Sequence, residues 1–380
     1  MNDQFFVGVA TMIEQARTHV GRTADLTMCV TYFEIGRMIV EQEQHGKKRA
    51  QYGRGLIPEL SEYLTERFGN GFSTRSLQIF RKFYLTYAPS IQQTTSVKLA
   101  KAQTMSAQLK KTQSLIAKSA KGQTTSALLP PFRLSWSHYM ILLRIKNDQE
   151  RRFYEIEAAN QQWTVRQLQR QYGSSLYERL ALSRDKTEIM RLANEGQTVE
   201  TPRDMLKNPL VLEFLGLEEK AGYTESDLES AIISKLQAFL LELGKGFLFE
   251  SRQRRFTFDE DHFVVDLVFY NRLLQCYVLI DLKTDKLKHQ DLGQMQMYVN
   301  YFDRYVKTEH EKPTVGILLC KEKNDSVVEL TLPEDSNIYA SEYNLYLPDK
   351  ALLQRKLKEW VEEFETQKQM APEYRLNPNP

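Results

Sequence analysis

Apolar residues recur at helical intervals through the first half of the chain, and a denser, strand-like pattern takes over only in the C-terminal third. The run from Tyr32 to Val40 has helical spacing, and Leu56, Leu60 and Leu64 share one face of a second helix. Gly69-Asn70-Gly71-Phe72 breaks that helix, and Ser73 can cap the next, which carries Leu77, Phe80, Phe83 and Tyr84 inward. Helix, glycine-containing turn, helix is a helix-turn-helix-like layout. On its second helix Arg75, Gln78, Arg81 and Lys82 face outward and suit contact with phosphates or base edges. An ordinary helical hairpin with a solvated basic face accounts for the same spacing.

The pattern lapses between Pro89 and Pro131, where Gln, Thr, Ser, Ala and Lys dominate, with six lysines and no acidic or aromatic residue. Such a composition describes a linker, or a basic strap lying on phosphates. Helical spacing resumes from Leu134-Ser135-Trp136 through Phe153-Tyr154 to Trp163, and Thr164 can cap the helix that follows. Trp136, Tyr139, Phe153 and Trp163 alternate with arginines, as on a nucleic-acid surface, but their amphipathic setting assigns them to core packing.

In the C-terminal third a helix over Ser226–Leu243 is stopped by Gly244. Strand-like segments follow at Phe247–Glu250, Gln253–Phe258, Phe263–Tyr270 and Tyr277–Lys283, then a helix over Leu292–Tyr305 and a buried strand over Thr314–Cys320. Helix, strands, helix, strand predicts an α/β domain with a central mixed sheet, and the chain as a whole reads as α+β. The expected divisions are a helical region 1–88, the linker 89–131, a helical continuation 132–200, the α/β domain 201–355, and a C-terminal helix and tail 356–380.

Composition narrows the setting but not the activity. The 51 basic and 49 acidic residues leave a formal charge of +2, so attraction to nucleic acid must come from local patches. Cys29, Cys276 and Cys320 lack the paired spacing of a zinc site and read as reduced core residues. No apolar run reaches the roughly 18–20 residues of a membrane span, and the N-terminus lacks a basic secretory start. A cytoplasmic protein with no membrane partner is expected, and assembly into a homo-oligomer stays open.

The candidate chemistry lies in two apolar strands. Asp266 is the single charge in Val264–Phe269, a run apolar on both faces, so it needs a cation, whether a metal or a basic side chain. Period-two alternation puts Asp281 and Lys283 on one face of the next strand, roughly 7 Å apart along it. If the strands are neighbours, Asp266 and Asp281 converge on one hard cation, with the Leu282 carbonyl and waters completing an oxygen shell. Glu229 lies in line with Ile232, Ile233, Leu236 and Leu240 on the apolar stripe of its helix. It is a third candidate ligand, or else it merely closes a capping box with Ser226.

These segments carry a resemblance. Tyr52-Gly53, Gly69-Asn70-Gly71-Phe72-Ser73, Leu134-Ser135-Trp136-Ser137-His138-Tyr139, Phe239 to Gly244, Arg252-Gln253, Asp266 to Tyr270, Asp281-Leu282-Lys283 and Gly293-Gln294 together resemble the YhcG-like family. That family joins a helical N-terminal region to a PD-(D/E)xK nuclease domain. The resemblance covers most of the chain and implies a restriction-endonuclease-like fold in which Glu229, Asp266 and Asp281 bind Mg²⁺, with Mn²⁺ as a substitute. It also implies that Lys283 assists the attacking water, with Gln294 and Tyr298 as supporting residues. Asp281 departs from the Glu usual at that position and is one methylene shorter, which puts the metal distance in question. The expected activity is metal-dependent hydrolysis of DNA, positioned by the helical region. An inactive DNA-binding or scaffolding relative, and a junction- or RNA-directed nuclease, are the alternatives.

Overall fold

The computed structural model describes residues 24–44, 52–89, 91, 132–183, 189–207, 209–217, 222–258, 260–333 and 335–359. The chain divides into two compact units, one comprising residues 1–151 and 158–165, the other 152–157 and 166–380. Positions 92–131 of the low-complexity segment, and the tail from 360, lie outside the described residues.

In the first unit α1 covers 24–44, α2 Tyr52–Phe68, α3 74–89 and α4 Trp136–Leu142. The predicted turn is present: Gly69, at φ 78°, returns its amide to the Thr65 carbonyl, and Ser73 Oγ accepts the Ser76 amide at 3.2 Å. Leu77, Phe80 and Ile39 are buried and gather Tyr32, Ile57, Leu60, Leu64 and Trp136 around them. The Trp136 ring stands 5.5 Å from Phe80 and 5.3 Å from Phe83, which confirms packing as the job of that aromatic. α5, Asp148–Asn160, runs through both units, its residues 152–157 counting with the second.

The second unit adds α6 (Val165–Gly173), α7 (Leu176–Leu182) and α8 (Ile189–Glu195), followed by a two-residue strand β1 (Leu210–Val211). Next come α9 (Glu225–Ser234), α10 (Leu236–Leu243), β2 (Phe247–Phe258), β3 (Asp261–Asn271) and β4 (Cys276–Lys286). α11 (His289–Tyr301), β5 (Val315–Glu322), α12 (Asp325–Thr331), β6 (Ile338–Asn344) and a helix α13 over 350–359 complete it. The expected single helix over 226–243 is two helices, because Lys235 leaves helical geometry at φ −119°, ψ 30°. That break lets Leu228 and Ile232 of α9, and Phe239 and Leu243 of α10, enter one core. The two strand-like segments before Asp261 are one strand with a register shift between Phe249 and Ser251.

The sheet has the order β1-β6-β5-β4-β3-β2. β2, β3 and β4 pair antiparallel, while β4, β5, β6 and β1 run parallel, so the predicted mixed sheet is present. Leu267, Phe269, Val278, Ile280 and Leu282 face the core under α9 and α10. Val268, Leu279, Leu318 and Cys320 face the opposite core under α11, with Leu292, Met295 and Tyr298. α11 lies so close to β5 that a Cβ on Gly316 would stand 2.6 Å from Met295 Cγ. All three cysteines are buried and unpaired, as expected of core residues. No described helix is long and apolar enough to cross a membrane.

Candidate active site

β3 and β4 pair from Asn271↔Cys276 up to Leu267↔Ile280, and the ladder stops there. Asp266 and Asp281 are the next residues on the two strands, at opposed positions whose side chains share a face. Beyond the last rung the backbone amide of Leu282 turns to a side chain, donating to Asp266 Oδ2 at 2.9 Å. The Leu282 residue offered earlier as a carbonyl ligand therefore touches the site through its N–H.

Alternation along β4 places Asp281 and Lys283 together as predicted, and Lys283 Nζ lies 2.7 Å from Asp281 Oδ2. That buried oxygen therefore has the Lys283 ammonium as its close counter-charge. Lys283 also stands 3.7 Å from Glu225 Oε2 at the start of α9. Burial pushes the Asp281 acid up; Lys283 pulls it back and Asp266 pushes it further, leaving it at about 6. Burial lowers the Lys283 ammonium, but Asp281 beside it outweighs burial and holds it above its ordinary value.

Glu229 reaches the site from α9. That helix is capped by Thr224, whose hydroxyl accepts the Asp227 amide at 3.2 Å while Asp227 returns to the Thr224 amide at 2.9 Å. The capping box thus lies two residues before the Ser226–Glu229 pair, which removes capping as the reason for Glu229. Its carboxylate is buried and accepts from Gln253 Nε2 at 2.5 Å through Oε2. Oε1 has no hydrogen-bond donor and only the Arg252 guanidinium at 3.7 Å. Burial raises the Glu229 acid, the Gln253 hydrogen bond opposes this, and the Asp266 charge adds to it.

Gln253 also donates to Asp266 Oδ1 at 3.2 Å, so one amide joins acids from α9 and β3. Sequence reasoning did not single out its role. It sits in the exposed run Arg252 to Arg255 with no apolar neighbour to make it an exception, and the backbone that aims it cannot be read from residue type. On α11, Gln294 Nε2 donates to Tyr298 Oη at 2.5 Å. Tyr298 packs with Val268 and Leu279, on the face that alternation gives to Asp266 and Asp281, and burial pushes its hydroxyl up to about 12, with the charge of Asp281 adding to it.

Six of the predicted residues, Glu229, Asp266, Asp281, Lys283, Gln294 and Tyr298, thus gather around the splayed end of β3 and β4. Arg75, Gln78, Arg81 and Lys82 lie in the other unit. Arg75 and Gln78 are exposed, Arg81 pairs with Glu43 at 2.8 Å, and Lys82 Nζ donates to the Leu143 carbonyl at 2.5 Å. Among the described residues no three His, Cys, Asp or Glu side chains are gathered as a ready ligand cluster. Gln253 joins Glu229 to Asp266, and Lys283 pairs with Asp281. The donor set nevertheless fits a hard divalent cation: it is all carboxylate oxygen, and one of those oxygens, Glu229 Oε1, is buried without a hydrogen-bond donor.

A mixed sheet whose β3–β4 splay presents Asp266 beside Asp281-Leu282-Lys283 defines a domain of the PD-(D/E)xK nuclease class. Comparison with known proteins agrees. The model described as the YhcG PDDEXK nuclease domain matches residues 203–358, and that of the DUF1016 N-terminal domain matches residues 8–179. A protein of Escherichia coli (strain K12) named "Putative nuclease YhcG" is 40% identical over 355 residues, covering 92% of each chain. The chain belongs to the YhcG family, joining a DUF1016 N-terminal domain to a YhcG PD-(D/E)xK nuclease domain. Among solved structures, a repair endonuclease from Pyrococcus abyssi is 17% identical over 34% of this chain, with a TM-score of 0.24. A complex of EndoMS with double-stranded DNA is 15% identical over 35%, with a TM-score of 0.25. The chain spans about half the length of each, and likenesses this slight carry no functional conclusion.

Proposed function

We propose that the chain hydrolyses phosphodiester bonds of DNA with a divalent metal, Mg²⁺ or Mn²⁺, and that Glu229, Asp266, Asp281 and Lys283 carry the chemistry. The observation that supports this most is the convergence of three acids, Asp266 and Asp281 at opposed positions of β3 and β4 and Glu229 linked to Asp266 through Gln253, with Glu229 Oε1 buried and without a hydrogen-bond donor. Buried polar atoms are normally satisfied, and three acids sharing one close ammonium and one amide, with an acid oxygen left over, suit a further cation.

Asp266 and Asp281 hold that cation from neighbouring strands, and Glu229 completes the acid set from α9. When bound, a divalent ion polarises a phosphate oxygen and lowers the pKa of water. Lys283 then leaves Asp281 for the phosphate, where its ammonium orients the attacking water and offsets the charge that builds on the phosphoryl oxygens. Tyr298, steadied by Gln294, walls the site on the α11 side. The helical N-terminal region presents the exposed Arg75 and Gln78 to DNA, with Arg81 and Lys82 joining on release of their internal partners, and this binding is salt-sensitive.

The test is incubation of the full chain, Asp281→Ala and Lys283→Ala with linear duplex, single-stranded and branched DNA and with RNA, each with Mg²⁺, Mn²⁺ or EDTA. Metal-dependent cutting by the wild type, lost in both variants, is expected on DNA. Cutting that survives both substitutions overturns the site. Binding without cutting identifies a catalytically inactive DNA-binding protein, and preference for RNA or branched DNA replaces the substrate class.

A further inference from the structure

Gln253 has a backbone that its strand does not require. Its φ is 48°, in the left-handed region that a side chain enters only at a cost in free energy. Among the described residues the other non-glycine residues with positive φ are Gln162, Ser175, Glu260 and Gln275, and each lies in a turn. Gln253 lies inside β2. The register shift of that strand falls earlier, between Phe249 and Ser251, and the rungs Arg252↔Leu267 and Arg254↔Val265 continue unshifted on either side of Gln253. The inserted residue of β2 lies ahead of Ser251, and at Gln253 itself only the rung to Asp266 is missing.

What the conformation achieves is the aim of one amide. Gln253 falls opposite Asp266 on the adjoining strand, and its Nε2 reaches Glu229 Oε2 at 2.5 Å and Asp266 Oδ1 at 3.2 Å. An amide nitrogen carries two protons, one for each acid. Two carboxylates of like charge, one from a helix and one from a strand, are thereby held side by side. The arrangement leaves Glu229 Oε1 without a donor.

We infer that Gln253 is a positioning residue: its strained backbone aims an amide that clamps Glu229 to Asp266, so that both acids are in place before a divalent cation binds. This rests on the metal reading of the site given above. The clamp acts through Glu229 and Asp266, so removing it weakens cation binding without removing a carboxylate.

The experiment measures Mn²⁺ binding to the full-length chain by electron paramagnetic resonance, for wild type, Gln253→Gly, Gln253→Asn, Glu229→Gln and the Gln253→Gly/Glu229→Gln double variant, with Asp266→Asn as reference. Glycine accepts the left-handed backbone without strain, so Gln253→Gly deletes the amide and leaves the fold at least as stable by thermal unfolding. It is expected to weaken Mn²⁺ binding about tenfold, the usual scale for groups that orient ligands. On the Glu229→Gln background the same change is expected to have less than a twofold effect, because the clamp then has nothing to place. Asn also tolerates the left-handed region but reaches less far, and is expected to lose binding to a similar extent. In Mg²⁺ titrations of cleavage, Gln253→Gly raises the concentration for half-maximal rate more than it lowers the saturated rate. Unchanged Mn²⁺ binding in Gln253→Gly, or an equal loss with and without Glu229, overturns the inference. Absence of Mn²⁺ binding by the wild type, or wild-type binding in Asp266→Asn, overturns the metal reading itself and this inference with it.

Discussion

Among the described residues of the second unit, two of the clusters of buried charge are built on opposite rules. In the first, Glu242 is fully buried and accepts from Arg179 at 2.5 Å and Val211 N at 3.0 Å through Oε1, and from Arg170 at 2.7 Å through Oε2. Arg179 spends its remaining donors on Ser174 and the Pro209 carbonyl, and Arg170 spends its own on Glu213 and the Val211 carbonyl. Burial pulls the Glu242 acid upward, but Arg179, Lys207 and Arg170 outweigh it and hold the group at about 2. In the second cluster three acids share Lys283, Arg252 and the Gln253 amide, Glu229 Oε1 has no donor, and burial wins at Asp281. A saturated cluster ties α6, α7, α10 and β1 together, whereas an under-satisfied one keeps charge available for a ligand. Burial alone does not separate the two; satisfaction of each oxygen does.

The contrast breaks most visibly at the saturated cluster. Arg179→Ala strands Glu242 in the core and is expected to cost about 3–5 kcal/mol in denaturant unfolding, the usual effect of removing one partner from a buried pair. A loss below about 1 kcal/mol would show that the cluster does not hold the unit together. Lys283→Ala should do the reverse: cleavage falls on the order of 10²–10³-fold, as for removal of one stabilising donor at a reacting phosphate, while the unfolding loss stays well below that of Arg179→Ala, because Asp281, already raised by burial, takes up a proton once its counter-charge is gone. A stability loss like that of Arg179→Ala would make Lys283 structural.

Asp281 sharpens the same point through pH. Its folded-state acid titrates near 6 against an ordinary 3.8, so the unfolded chain ionises it first, and stability from this group falls as pH rises from about 4 to 6 and is level above. Asp281→Asn removes that slope. Between pH 4 and 7 the difference in unfolding free energy between variant and wild type should therefore grow in favour of Asn by on the order of 3 kcal/mol. The opposite slope would mean that Lys283 governs the pair and that the acid is satisfied after all. The smallest effect lies outside both clusters. Arg75→Ala is expected to leave stability within about 0.5 kcal/mol and to reduce the slope of log binding against log salt by about 1, measured on duplex DNA. An unchanged slope removes Arg75 from the DNA contact.

The two clusters also differ in how far the sequence betrays them. Asp266 and Asp281 stand out because each interrupts an apolar strand, and the two-residue period alone puts Lys283 beside Asp281. Glu229 stands out as a charge on an apolar helix face, but Thr224–Asp227 and Ser226–Glu229 have the same spacing, and only the observed start of α9 chooses between them as the cap. Arg252-Gln253 carries part of the resemblance, but the role of Gln253 was hidden because a polar residue among arginines violates no pattern. The Glu242 network was hidden for another reason: its partners lie 63 and 72 residues away, and no local period records a pairing that the tertiary fold creates. β1 and β6 went unread on similar grounds, since β1 has two residues and exists only by pairing with β6. The helix break at Lys235 has no glycine or proline to announce it.

The most direct test of the account is DNA cleavage by the full-length chain with Mg²⁺, run beside Asp266→Asn at equal concentration after both are shown to have the same unfolding midpoint. The account predicts cutting by the wild type that EDTA abolishes and that Asp266→Asn lacks. Equal cutting by the two proteins, or wild-type cutting that persists in EDTA, would contradict it.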